Sequence, residues 1–104
     1  MIRVTLFLMV TLFAVGCRES GKKAPALTPF FLGTYTEGDS QGIYKYALSD
    51  DGSLKNLGLM AEAVNPSFLA LSQDGRYLLA VNEVSDKDQM GYVSAYRIEN
   101  DTLA

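Results

Sequence analysis

The side chains with the most chemical potential in this 104-residue chain stand in two short pairs, Tyr35-Thr36 and Asn82-Glu83. A carboxylate such as Glu83 can take a proton from a water as it attacks, and the phenol, hydroxyl and amide nearby can hold a small molecule by hydrogen bonds. Each residue also has a plain structural reading: an Asn-Glu at a strand end can cap a turn, and an inward-facing tyrosine is usually core. The chain contains no histidine. Asp86 and Asp88 form a D-x-D, but the glycine and distal glutamate of a calcium-binding loop are absent, so a solvated loop is expected rather than a metal site. Gly33, Gly38, Gly42 and Gly91 form no phosphate-cradling pattern before a helix and read as strand and turn glycines. Cys17 is the only cysteine, which excludes an intrachain disulfide and a structural zinc site. Nothing in the letters calls for a cofactor.

These residues need a frame, and the pattern after Pro29 supplies an all-β one. β-branched and aromatic runs alternate with Asp-Gly turns, and no stretch keeps a 3.6-residue period. Strands are expected over residues 30–35, 43–48, 57–61, 67–72, 77–83 and 92–98. In the second, Tyr44, Tyr46 and Leu48 share one face and Lys45 lies on the other. Asp51-Gly52 and Asp74-Gly75 are the turns, and Asn65-Pro66 marks a loop. Residues 77–81 are apolar at every position, the signature of a strand buried on both sheet faces.

Laid over itself with a shift of about fifty residues, the chain repeats, which is the period of a propeller blade of four short strands. Residues 30–36 fall on 77–83, residues 42–48 fall near 91–98, Tyr46 matches Tyr96, and Leu48 matches Ile98. In this register the first repeat begins at the second strand of a blade and lacks its own inner strand. The expectation is therefore a β-propeller of which only the first one to two blades are present. A whole ring would need roughly 300–350 residues at this period. The far end of such a chain commonly returns to complete the first blade, and without it large apolar faces and a sheet edge stay open.

Several pieces, in order and spacing, carry a closer likeness: Phe31-Leu32-Gly33-Thr34-Tyr35-Thr36, Gly42-Ile43-Tyr44, Asn65-Pro66-Ser67-Phe68-Leu69, and Asp74-Gly75-Arg76-Tyr77 running on to Asn82-Glu83. Together, over residues 29–103, they resemble the lactonase family of seven-bladed propellers, whose members are similar to 6-phosphogluconolactonase. The resemblance implies a hydrolase that opens a sugar lactone to its acid, with a small-molecule lactone as substrate and no cofactor. Propeller sites gather where loops meet around the central channel, here residues 37–41, 61–66 and 84–90. That places Tyr35, Thr36, Asn82 and Glu83 at strand ends facing the rim. Glu83 would activate water as the catalytic base, and Tyr35, Thr36 and Asn82 would orient the substrate. The rival reading is a non-catalytic propeller used as a binding scaffold on the envelope, since one fold hosts many functions.

The first residues belong to targeting rather than to the fold. Residues 1–3 carry a positive charge, and residues 4–15 are an uncharged apolar run, too short for a spanning helix of about 20 residues. The run ends Ala14-Val15-Gly16-Cys17, which resembles a bacterial lipobox, although Ala14 stands where that pattern usually has leucine. The likeness implies a signal peptide at 1–16, a lipidated Cys17, a tether over 17–28 and the propeller over 29–104. The protein would then be exported and membrane-bound through its lipid, facing the periplasm or the cell surface; cleavage to a free secreted product is the alternative. From Leu27 onward acidic residues outnumber basic ones, with Glu19 the only acid before that point. An acidic domain repels phosphate backbones, so nucleic acid is not expected as a partner.

Overall fold

The computed structural model describes residues 26–85, 88 and 90–104. The expected signal peptide, Cys17, most of the tether and Asp86 lie outside the described residues. Among the described residues every regular element is a strand, and no helix is long and apolar enough to cross a membrane.

Two antiparallel sheets follow one another along the chain. The first contains β1 (Leu27–Leu32), β2 (Gly42–Ser49) and β3 (Leu54–Glu62) in that order. The second contains β4 (Pro66–Leu71), β5 (Tyr77–Asn82), β6 (Tyr92–Glu99) and the short β7 (Thr102–Leu103). The second sheet is a four-stranded blade. The first is the same meander with three strands among the described residues, and β1 lies at its edge. Pro29 fits within β1 because an edge strand can do without one ladder donor.

Local chemistry makes the turns. Gly52 has φ +84° and Gly75 φ +70°, conformations open to glycine at no steric cost. The carboxylate before each glycine draws in the loop: Asp51 Oδ1 accepts from the backbone N–H and hydroxyl of Ser53, and Asp74 Oδ1 accepts from Ser72 Oγ and the Arg76 N–H. Hydrogen bonding to the charged form holds both carboxyls below the ordinary aspartate range. Asn100 and Asp101, both at positive φ, make the corresponding turn between β6 and β7.

The core lies between the two sheets. Ile43, Leu78 and Ala80 are fully or almost fully buried, with Phe31, Leu69, Tyr96 and Ile98 packed around them. Complete burial of a side chain the size of Ile43 or Leu78 stabilises the contact by about 1.5–3 kcal/mol. Lys45 enters the same interface, where its Nζ donates to the backbone oxygen of Asp101. As the alternation requires, Lys45 shares its face with Ile43 and Ala47, while Tyr46 turns the other way and stacks on Phe30.

Three expectations need correction. The first strand is Leu27–Leu32 rather than 30–35, because residues 33–36 leave the ladder to reach the second blade. The fifth strand is buried on one face only: Leu78, Ala80 and Asn82 point at the first blade, whereas Tyr77, Leu79 and Val81 lie on the face that no other sheet covers among the described residues. The internal repeat also runs one residue out of step in its first strand. Phe30 pairs with Tyr46, and Leu78 pairs with Tyr96, so Phe30 corresponds to Leu78 and not to Tyr77. A slip of one residue exchanges the two faces of a strand. In the corrected register Thr34 corresponds to Asn82, and Tyr35 corresponds to Glu83.

Candidate active site at the blade boundary

Both sheets deliver their strand ends to one rim. β1 runs out through Gly33 and Thr34 to Tyr35 and Thr36, β5 ends at Asn82 and passes to Glu83, and the connection between the blades descends through Asn65 into β4. Close approach is possible because Gly33 has no side chain: a Cβ there would overlap the carbonyl oxygen of Pro66. Thr34 Oγ1 donates to the Gly42 carbonyl at 2.6 Å and fixes the exit from the strand.

At this boundary the Tyr35 hydroxyl donates to Glu83 Oε2 at 2.9 Å, joining residues from different blades. The accepting carboxylate holds the Tyr35 phenol above its ordinary range, by its hydrogen bond first and its charge second. The Ser67 hydroxyl acts on the phenol in the opposite sense. Its Oγ is itself buried without a hydrogen bond of ordinary geometry. Tyr35, Glu37, Asn65, Asn82, Glu83 and Ser85 line an open hollow of about 370 Å³. A second hollow of about 340 Å³ separates the blades at the opposite strand ends. Its walls are chiefly the apolar Pro29, Phe31, Leu69, Leu71 and Ile98, and the two charged groups on it, Lys45 and Asp101, are paired with each other at 3.7 Å.

The four residues expected at the site come together, in different roles. Tyr35 and Glu83 are exposed and in contact. Thr36 is half-buried, and its backbone N–H and hydroxyl are both bound to Asn65 Oδ1. Asn82 is completely buried: its Nδ2 donates to the Val64 carbonyl at 2.8 Å, and its Oδ1 accepts from Ser94 Oγ at 2.8 Å. This amide ties the loop between the blades to β5 and β6, forming the floor beneath Glu83. Asn82→Ala removes both bonds from a site closed to water. It should lower the unfolding free energy of the complete protein by about 1–3 kcal/mol, read as a reduced denaturant midpoint. An unchanged midpoint would show that the tie contributes nothing.

Asn65 and Ser67 are the residues that sequence reasoning passed over. Among the described residues no group of three or more potential metal ligands forms. What the arrangement offers is a carboxylate with a phenol at its side, on the lip of an open hollow at the strand ends.

Residues 29–104 match the sequence profile of the family described as Lactonase, 7-bladed beta-propeller. The chain belongs to the lactonase family. It is 32% identical over 73 residues to the 6-phosphogluconolactonase of Bacillus subtilis (strain 168), an alignment covering 69% of this chain and 20% of that protein. Two crystal structures of proteins provisionally named 6-phosphogluconolactonase are similar in fold. The one from Bacteroides fragilis NCTC 9343 has a TM-score of 0.63 at 34% identity, covering 77% of this chain and 24% of the other. The one from Bacteroides uniformis ATCC 8492 has a TM-score of 0.61 at 31% identity, covering 75% and 23%. The chain thus spans about a fifth to a quarter of the length of these relatives. Within the lactonase family its two sheets are propeller blades, and the rim described above lies between them.

Proposed function

We propose that the protein carrying these blades is a lactonase that opens a sugar-derived lactone to its acid, with Glu83 as the base. The observation that carries the reading is the Tyr35–Glu83 pair on an open hollow at the blade boundary of a lactonase-family chain. In the proposed step, Glu83 takes a proton from a water whose oxygen bonds to the lactone carbonyl carbon. The resulting oxyanion collapses, the ring C–O bond breaks, and the departing alkoxide takes the proton from Glu83, which restores the carboxylate and leaves the hydroxyl of the product acid. Tyr35 keeps one carboxylate oxygen in place. Donors for the oxyanion come from other blades of the ring.

The test is hydrolysis of phosphorylated and unphosphorylated gluconolactone, side by side, by the complete reading frame with its signal removed. Turnover of either one supports the lactonase reading, and preference between them defines the substrate. Folded protein that turns over neither would leave the envelope binding scaffold.

The export reading is part of the same proposal and is supported by the letters of residues 1–17 alone: a positive start, a short apolar run, and Gly16 before the single Cys17. A lipid on Cys17 would hold the protein at the membrane, where an unphosphorylated lactone is the more accessible substrate. Fractionation of cells expressing Cys17→Ser should move the protein from the membrane pellet to the soluble exported fraction. A variant that stays in the pellet, or a wild-type protein that is never there, would remove the lipid anchor from the proposal.

A further inference from the structure

Among the described residues, Asn65 is hydrogen-bonded to both sides of the blade boundary, to Thr36 and to Glu83. Its side-chain Oδ1 accepts from the Thr36 N–H at 2.7 Å and from Thr36 Oγ1 at 3.1 Å, and its own N–H donates to that Oγ1 at 3.1 Å. On the other side its Nδ2 donates to the Glu83 carbonyl at 3.0 Å, and its carbonyl accepts from the Glu83 N–H at 3.0 Å. One residue therefore grips the backbone on both sides of Glu83, and its side-chain amide alone joins the Glu83 carbonyl to the peptide that follows Tyr35. Its φ of +41° is a left-handed conformation that asparagine tolerates better than most residues.

We infer that Asn65 is the positioning residue of this site, holding the Glu83 carboxylate and the Tyr35 phenol in a single arrangement across the boundary between the blades. The inference rests on the reading of Glu83 as the base, and Asn65 acts through Glu83 rather than on the substrate. Without the side-chain arms, Thr36 and Glu83 stay linked only through the main-chain bonds of residue 65, and the 2.9 Å contact between phenol and carboxylate loses the amide that spans it. Misplacing a reacting group by an ångström can cost about a hundredfold in rate.

Two variants of the complete protein separate the clamp from simple stability. Asn65→Gly keeps the left-handed backbone without strain and deletes both side-chain arms. Asn65→Asp keeps an acceptor for Thr36 but turns an oxygen toward the Glu83 carbonyl. Both should lower kcat by roughly ten- to hundredfold with little change in KM. In a double-mutant cycle, Asn65→Gly should cost almost nothing further once Glu83→Gln is present, because the two act as a unit. A second readout needs no turnover. The Tyr35 phenol, followed by NMR of ring-carbon-labelled tyrosine and assigned with Tyr35→Phe, should titrate closer to its ordinary range in Asn65→Gly than in wild type; Asn65→Asp adds a carboxylate beside the phenol and is read by its rate alone. Additive rate losses together with an unmoved Tyr35 titration would overturn the role of Asn65 and leave Glu83 as the base. Full activity in Glu83→Gln would instead overturn the reading of Glu83 and with it the action of Asn65 through that residue; the titration would then report the clamp alone.

Discussion

Glu83→Gln in the complete protein should lower kcat for lactone opening by about 10²- to 10⁴-fold while leaving the denaturation midpoint where it is. The argument turns on what glutamine retains. Its amide oxygen can still accept the Tyr35 hydroxyl, so the contact between the blades survives, and the side chain is exposed, so no packing is lost. What disappears is a group able to take a proton from water. The backbone bonds of residue 83 to Asn65 are independent of its side chain, so Thr36 and the connecting loop should keep their places. KM should change little if Glu83 acts mainly on the attacking water. A variant that retains wild-type kcat would assign the base to another residue of the ring.

The architecture was legible in the letters because its determinants are local. Asp51-Gly52 and Asp74-Gly75 form turns through the aspartate carboxylate and the freedom of glycine, and both can be read within four residues. The repeat made it legible that β1 answers to the second strand of the next blade, and among the described residues β1 lies at its sheet's edge. The register of that repeat was not legible. Phe30, Phe31, Tyr77 and Leu78 are interchangeable as letters, and only the ladder that pairs Phe30 with Tyr46 and Leu78 with Tyr96 decides between them.

For the candidate site the letters carried only position: Tyr35, Thr36, Asn82 and Glu83 lie at neighbouring strand ends. Yet strand parity already puts Asn82 on the face of Leu78 and Ala80, which is the buried one. Counting by twos from Leu78 would have separated Asn82, a structural amide, from Glu83, an exposed acid. Asn65 carries no such local signal. Its role depends on segments 29 and 18 residues away arriving at one amide, and in the sequence it reads as a loop marker before Pro66 and a piece of the family likeness.

The fold itself should be most sensitive at Gly33. Gly33→Ala should destabilise the complete protein by about 3 kcal/mol or more, enough to appear as poor solubility or a sharply lowered denaturant midpoint. The reason is steric, since a Cβ at this position overlaps the Pro66 carbonyl oxygen and lies 3.2 Å from Leu69 Cγ. The leucine can give way; the carbonyl belongs to the backbone entering β4 and can move only with the strand. Relieving the overlap pushes the exit of β1 away from the second blade and opens the interface that buries Ile43 and Leu78. It also displaces Pro66, the residue after Asn65, so whatever protein still folds should lose activity in the manner of Asn65→Gly. Gly38→Ala supplies the control, because a Cβ there meets nothing within 4 Å and φ is not positive. Equal midpoints for the two alanine variants would mean that the blades slide apart without cost, and the close approach at Gly33 could then no longer be what brings Tyr35 to Glu83.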